Sequence, residues 1–592
     1  MRGMSLQRDP VCGMMIDEAT QYRSDARGKT YYFCSETCKD SFLTGQHVAY
    51  FSMEIGLQNE IHTYSGGLGI LAGDTVRSSA DLRLPLVAIT LVSRKGYLKQ
   101  VLTQEGRQVE YPDDWEPSKY MRRVPGQVQI RQLNGDIKVG AWVYDYQSPI
   151  GGMVPILFLD TDIEGNRQED RETTSYLYGG DDRYRLKQEL VLGIAGLRML
   201  EAAGFNVRKY HMNEGHSGFL ALELLMRGMN AQQVKEHCIF TTHTPVESAF
   251  DKFSYDLIRD VMGDLLPIDT MKRYGGEEKF NMTLFALTLS KYVNGVTESH
   301  RNYSSRLFPG FHINTVTNGV HSYTWIHRSF KDIFDHYIPS WANEPQLLVR
   351  ADIIPENELW QAHLDAKMEL FEYVKRQTDV ELDPRFLTLG FARRFTAYKR
   401  PNLIFTDLER LRHICDRRRL QIVISGKAHP RDELGKRLIQ EVYGYMAQLG
   451  DRPRVVYLQN YDMEIAAKLV SGVDVWLNTP FPPLEASGTS GMKASHNGVL
   501  NFSILDGWWI EGCIENVTGW AIGPKPEESM SDVRQRAQEL EDLYNKLEYI
   551  ILPTYYERRD EWIDMMKSSI TKLATYFNSH RMMRRYATDA YL

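Results

Sequence analysis

Cysteine is scarce in this chain: six in 592 residues, too few and too dispersed for the disulfide framework of a small secreted fold. No run of about 18 apolar residues occurs, which excludes a membrane-spanning helix. Residues 1–15 lack the apolar stretch of a secretory signal, so the expectation is a cytoplasmic enzyme without a membrane partner. Neither sign of charge dominates. Lys and Arg total 70 against 77 Asp and Glu, a net charge of −7. Such a chain has no global field to draw nucleic acid or anionic lipid, and any anion site must be local. Low-complexity tracts and internal repeats are also missing. With 43% hydrophobic and 25% charged residues, the composition is that of a folded protein. At about 150 residues per domain the length fits four domains, or two large α/β units plus something small.

The few cysteines lie unevenly. Cys238, Cys415 and Cys513 stand singly and read as buried small hydrophobes, whereas Cys12, Cys34 and Cys38 crowd into residues 1–45. There a turn at Asp9-Pro10-Val11-Cys12-Gly13-Met14, an aromatic strand ending in Tyr31-Tyr32-Phe33-Cys34, and a Cys-x-x-x-Cys step into a short helix would gather three thiols at one end of a very small fold. The thiols are either packing residues or ligands of a soft metal ion, zinc or copper, which would supply the stability so small a core lacks. No histidine precedes His47 to complete the ligand set. The pattern resembles the YHS (TRASH-like) domains, and that resemblance implies heavy-metal binding by Cys12, Cys34 and Cys38.

From His47 the texture changes to strand, loop, helix, strand: His47 to Glu54 is strand-like, a glycine-rich stretch and a helical segment to Arg83 follow, then a β-rich run from Leu84 to Ser93. The second half repeats the pattern, with apolar strands predicted at Phe386 to Phe391, Leu420 to Ile424, Val455 to Leu458 and Val473 to Leu477. This is the βαβ grammar of parallel sheets. The fold class expected is α/β: two doubly wound Rossmann-like domains, 47–318 and 319–592, facing a cleft, plus the cysteine-containing module 1–45. Residues 532–592 read as a helical C-terminal extension. Doubly wound sheets bind ligands beyond the carboxyl ends of their strands, so loops from both halves should line the cleft.

The sharpest motif is Glu485-Ala486-Ser487-Gly488-Thr489-Ser490-Gly491-Met492-Lys493, placed after a strand and entering a helix. Small residues let backbone N–H groups approach an anion, and a helix N-terminus adds its dipole, so this is a phosphate cradle with an amine one turn inside. Lys493 itself is either an exposed helix residue or a desolvated amine that binds an aldehyde cofactor. Phe391-Ala392-Arg393-Arg394-Phe395-Thr396-Ala397-Tyr398-Lys399-Arg400 packs four cations behind a strand, either a solvated helix start or a polyanion clamp, and its position favours the clamp. Gly66-Gly67-Leu68-Gly69 opens a helix after a strand; a tight turn and an anion loop both fit. Thr242-His243-Thr244-Pro245 and Thr317-Asn318-Gly319-Val320 each follow β-like runs and on their own read as structural turns.

Taken together and in this chain order, the motifs resemble those of the α-glucan (glycogen, starch and maltodextrin) phosphorylases, in a short prokaryotic form, over residues 48–592. The resemblance implies a GT-B glycosyltransferase-like fold and pyridoxal 5′-phosphate on Lys493, with Thr489, Ser490, Arg393 and Gly67 around the cofactor. Arg394 and Lys399 would hold inorganic phosphate and, with His243 and Lys493, form the catalytic set. Gly67, Leu68, His243, Asn318, Tyr398, Glu485, Ser487 and Gly488 would line the sugar site. His496 stands where the family has Leu or Met, Arg393 where its animal and plant branch has Lys, and Thr396-Ala397 where that branch has His-Glu.

The implied reaction is retaining phosphorolysis of a terminal α-1,4 glucosyl bond in glycogen or maltodextrin to α-D-glucose 1-phosphate. In this chemistry the 5′-phosphate of the cofactor exchanges a proton with the substrate phosphate. The implied partners are α-glucan, inorganic phosphate and glucose 1-phosphate; oligomeric state is open, a homo-oligomer included. The competing reading is a retaining nucleotide-sugar glucosyltransferase akin to glycogen or starch synthase, which shares a Gly-Gly-Leu-Gly loop and an Arg/Lys pair but has no use for Lys493. A glycoside hydrolase would need two facing carboxyls and no phosphate cradle.

Overall fold

The structure, a computed structural model, describes residues 6–247, 250–524 and 532–592. Residues 6–45 form a module of two antiparallel hairpins, Leu6–Arg8 with Met15–Asp17 and Arg23–Ala26 with Lys29–Tyr32, followed by a helix, Glu36–Thr44. Ser35 caps that helix by accepting from the Cys38 amide. Tyr31, Phe33 and Phe42 are its entire fully buried apolar core, so the module stands by leaning on the larger body. Arg27 lies 3.8 Å from the centroid of the Phe205 ring, Tyr31 Oη donates to Asp145 at 2.9 Å, and Met153 packs against the aromatic trio.

The chain then enters a ten-stranded sheet. Its main strands are β1 (Gln46–Ser52), β2 (Leu86–Leu91), β3 (Ile137–Gln147), β4 (Met153–Asp160), β5 (Asn206–Asn213), β6 (Cys238–Thr241) and β7 (Tyr292–Gly295). They run in the order β3-β4-β2-β1-β5-β6-β7. Pairing is parallel from β4 through β7, and β3 joins antiparallel. β2 is buried at every position, as a parallel strand covered on both faces must be. Helix α1 (Gly67–Asp81) links β1 to β2.

The second sheet has six strands, all parallel: β8 (Leu387–Ala392), β9 (Leu420–Ser425), β10 (Arg454–Leu458), β11 (Val475–Asn478), β12 (Leu500–Ile504) and β13 (Gly519–Ile522). The order is β10-β9-β8-β11-β12-β13, a doubly wound arrangement whose direction reverses between β8 and β11. The first sheet reverses between β1 and β5. Crevices open at the carboxyl ends of these strand pairs, and the motif loops sit there. Side chains bridge the two halves: Gln100 Nε2 donates to the Gly426 carbonyl at 2.9 Å, Asn59 to Asp462 at 3.1 Å, and the Met463 amide to Tyr64 Oη at 2.8 Å.

The predicted strands match the observed ones to within two residues at each end. The end of the chain adds a feature: helix α4 (Ser579–Tyr586) crosses back to the first sheet. Met582, Met583, Tyr586 and Tyr591 join the cluster of Val48, Tyr50 and Ile156, and Asn294 Nδ2 donates to Tyr586 Oη at 3.0 Å. The unit read as 319–592 therefore contains a segment, 579–592, whose buried contacts lie with the first sheet.

A buried triad supports β8 and β11 from below. Asp474 accepts from Lys367 and His363 of helix α2 (Glu356–Thr378) at 2.6 and 2.8 Å and from the Thr388 amide at 2.7 Å. Lys367 is fully enclosed, so removing the carboxylate strands a buried ammonium. Asp474→Ala is expected to cost about 3–5 kcal/mol, read as a lowered midpoint in denaturant unfolding; a change under about 1 kcal/mol would contradict the assignment.

Candidate active site

Glycine opens the site in the first half. The Ser65 and Gly66 amides donate to Glu54 Oε2 at 2.5 and 3.2 Å, which fixes the loop and leaves Gly67 exposed and Leu68 half-buried at the start of α1. A Cβ at Gly66 or Gly67 would meet nothing within 4 Å, so the first amides of α1 face open space, as an anion cradle requires. Gly69 and Gly73 differ: a Cβ there would lie 2.7 Å from Glu54 Oε2 and 1.9 Å from the Gly56 carbonyl. These two glycines allow close packing and the first two allow access.

His243 lies beyond β6 and donates from Nε2 to Asn213 Oδ1 at 2.6 Å. Its amide donates to Glu214 at 2.8 Å. Burial lowers the His243 pKa to about 3, so the ring is neutral and serves as a hydrogen-bonding group. Glu214 holds a left-handed backbone, φ 71°, a strain typical of functional loops. Asn318 is buried with its Oδ1 unpartnered, a polar atom awaiting a donor.

In the second half, two cations of the basic segment converge on one carboxylate. Arg393 and Lys399 both bond Glu485 Oε2, Lys399 at 2.5 Å. Burial alone would raise the Glu485 pKa, but the Arg393 and Lys399 charges outweigh it and hold the carboxyl at about 2. Arg393 Nε and Nη1 are buried without partners. Arg394 projects exposed into the cleft, and among the described residues no carboxylate pairs with it. Lys399 Nζ lies 4.5 Å from the centroid of the Tyr398 ring.

The Glu485 to Lys493 motif leads into helix α3 (Thr489–Ser495), with Gly488 as its N-cap in the left-handed region, φ 84°. No side chain caps this end; Thr489 and Ser490 form its first turn, half-buried, and Ser487 Oγ is buried without a partner. Ser490 Oγ accepts from Trp476 Nε1 at 3.1 Å. Lys493 is buried and, among the described residues, in no ion pair. Its amine sits 3.7 Å from the centroid of the Trp325 ring, and burial, opposed by Asp74, lowers its pKa to about 8. Trp325 is held by Asp74 of α1, which accepts from its Nε1 at 2.9 Å. His496 is satisfied in place, with Nδ1 at the Met492 carbonyl and Nε2 at Ser322 Oγ.

Of the expected residues, the structure joins Arg393, Lys399 and Glu485 directly, and the Gly67 loop, His243 and the Glu485 to Lys493 motif each follow the carboxyl end of a strand. Asn213 and Glu214 belong to the segment His211 to His216, which by resemblance lies near the cleft; the structure adds groups the motifs gave no role, Glu54, Asp74, Trp325 and Asp506, the last pushed up to about 7 by burial and by Glu485 next to it. Glu54 and Glu214 carried a usable signal, a carboxylate just past a strand's end; Asp74 and Trp325 carried none. Between the halves a cavity of about 220 Å³ opens, lined by Tyr64, Ser65, Tyr97, Lys427, Tyr461 and Asp462 among others.

In the module, Cys12 and Cys34 Sγ lie 3.4 Å apart and Cys34 and Cys38 Sγ 3.6 Å. Asp9, fully buried, completes a four-ligand cluster that the three-thiol reading left short. Its carboxylate also organises the turn, accepting from the amides of Val11, Cys12 and Cys34 at 2.8, 3.1 and 2.7 Å. The donor set fits a soft metal ion.

Two doubly wound sheets, a cationic cleft and a buried lysine, in no ion pair among the described residues, in a helix whose start no side chain caps make a site suited to an anionic ligand. Comparison with known proteins narrows this. The carbohydrate phosphorylase family matches residues 251–550 and the YHS domain residues 8–47. The chain is 38% identical to the maltodextrin phosphorylase of Thermococcus litoralis (92% of this chain, 70% of the relative). It is 35% identical to glycogen phosphorylases of Aquifex aeolicus (95% and 88%) and Mycobacterium tuberculosis (92% and 70%). The chain belongs to the carbohydrate phosphorylase family and carries a YHS domain.

The glycine geometry separates two effects. Gly67→Ala should leave the melting temperature unchanged while raising the KM for phosphate about tenfold, the loss of one good anion contact. Gly69→Ala should lower the melting temperature. Equal behaviour of the two variants would refute the distinction.

Proposed function

We propose that the chain is an α-1,4-glucan phosphorylase that uses pyridoxal 5′-phosphate held at Lys493. The observation that carries the reading is a buried amine, in no ion pair among the described residues, in the helix that follows a cation cluster held by the single carboxylate of Glu485. An aldehyde cofactor fits this amine, because the lowered pKa makes it a nucleophile near neutrality. The orphaned Arg393 nitrogens, the uncapped α3 amides and Ser487 Oγ fit its phosphate. When bound, the cofactor supplies through its 5′-phosphate a proton donor and acceptor beside the substrate phosphate.

The chain's own residues do the rest. Arg393 with the Thr489 and Ser490 turn holds the cofactor phosphate; Arg394, Lys399 and the Gly67 amide hold inorganic phosphate. Two phosphates side by side repel strongly in a dry cleft unless such cations offset them. Glu485 acts as a placeholder: on phosphate binding, Arg393 and Lys399 turn to phosphate and the carboxylate is released to a glucosyl hydroxyl. His243 and Asn318 bind the sugar from the first half, with Leu68, Tyr398, Ser487 and Gly488 shaping the pocket. Closure of the two halves excludes water, which would divert the oxocarbenium-like transition state to hydrolysis. The Asp9, Cys12, Cys34 and Cys38 cluster holds a soft metal ion in a module that takes no part in bond cleavage.

Borohydride reduction followed by peptide mapping should find a pyridoxyl adduct on Lys493, and the protein should release glucose 1-phosphate from maltooligosaccharide only with phosphate present. Because the neutral share of an amine with a pKa of about 8 falls about tenfold per pH unit below it, reconstitution of apoenzyme with pyridoxal phosphate should quicken from pH 6 to 8 and then level. A colourless protein that transfers glucose from a nucleotide sugar would overturn the reading. Deleting residues 1–45 should preserve kcat while lowering thermal stability; a folded, cofactor-loaded but inactive truncation would refute the passive role of the module.

A further inference from the structure

We infer that Asp81, His321 and His580 form a second metal site, distinct from the thiol cluster and from the cleft, that takes one divalent transition ion of the zinc class. The three residues are far apart in sequence, at the end of α1, just after the Thr317-Asn318 turn, and in α4. Their ligand atoms all fall within 4.8 Å of one another. Asp81 Oδ2 lies 2.7 Å from Nε2 of both His321 and His580. The three side chains are 1–2% exposed.

The surroundings orient all three inward. Asp81 Oδ1 accepts from Ser148 Oγ at 2.5 Å, His321 Nδ1 meets Thr324 Oγ1 at 2.6 Å, and His580 Nδ1 faces the Asn343 carbonyl at 3.2 Å. Outer partners of this kind fix the tautomer and the angle of metal-bound imidazoles and carboxylates. With each Nδ1 turned to an outer oxygen, Thr324 Oγ1 or the Asn343 carbonyl, both Nε2 atoms converge on the one oxygen Asp81 Oδ2, the arrangement in which a cation can sit between two imidazoles and a carboxylate. Two imidazoles and one carboxylate suit zinc and its neighbours, while the thiol cluster suits softer ions. Bonds of about 2.0–2.1 Å place tetrahedral ligand atoms about 3.3 Å apart, so each 2.7 Å contact needs to open by only about 0.6 Å. Binding would staple α1, the start of the second half and α4 together.

The test uses full-length holoenzyme, stripped with a chelator, reloaded with zinc alone and studied by metal analysis and zinc-edge X-ray absorption. Expected is one equivalent per chain with imidazole scattering, which the thiol cluster has no histidine to produce. It should persist in C12S/C34S/C38S, where zinc should still raise the melting temperature, and should disappear in His580→Gln. Absence of imidazole-bound zinc in the wild-type chain, or its persistence in folded His580→Gln, would overturn the inference and leave a proton-bridged hub. If His580→Gln does not fold, the wild-type and C12S/C34S/C38S spectra decide alone.

Discussion

The cleft is organised by a charge imbalance: Arg393 and Lys399 converge on one oxygen of Glu485, with Arg394 beside them. Two cations out of water with one carboxylate between them are held, but not fully neutralised, and the remaining positive potential is available to an incoming anion. A stronger internal pairing would close the site to phosphate, and a weaker one would destabilise the empty cleft. Glu485 serves both needs in the proposed reaction: it caps the cations of the empty cleft and is released when phosphate takes its place.

Helix α1 turns that local arrangement into a property of the whole molecule. Its first amides face the cleft, its middle residue Asp74 fixes the Trp325 indole beneath the Lys493 amine, and its last residue Asp81 binds two histidines of the second half. One rigid element therefore sets the position of the phosphate loop relative to the amine. Bonds between the halves, such as Gln100 to Gly426 and Asn59 to Asp462, act on the same alignment from the other side of the cavity.

Whatever depends on short-range sequence was legible beforehand. The strands of both sheets show as apolar runs, and the glycine loop, the basic segment and the Glu485 to Lys493 motif are contiguous, so their chemistry could be read from neighbours in the chain. What escaped depends on distance. Asp81, His321 and His580 are separated by 240 and 259 positions, and a lone histidine after an Asn-Gly turn carries no mark of a partner. Asp9 looked like a turn residue, which it also is. The return of α4 to the first sheet was hidden because an amphipathic helix does not say which of two sheets its apolar side covers.

The position of the added module follows from the direction of the strands. In a parallel sheet every strand presents its carboxyl end to the same side, so the cleft lies at Ser52, Asn213 and Thr241, and the amino ends at Gln46, Leu86 and Met153 lie opposite. The module joins the chain at Gln46 and packs on Met153 and Asp145, hence on the amino side. Helix α1 spans the gap; fifteen residues at about 1.5 Å each make about 22 Å. A cysteine module can thus be appended without altering the charges of the cleft. The module reaches inward through its covalent link to β1, through Tyr31 Oη to Asp145 and Arg122, and through Arg8 to the carbonyl of Ser148, whose hydroxyl binds Asp81. The route through Ser148 ends on α1, so a displacement of α1 or of β1, and not direct charge coupling, which is screened at about 22 Å, is the way the module can act on the cleft.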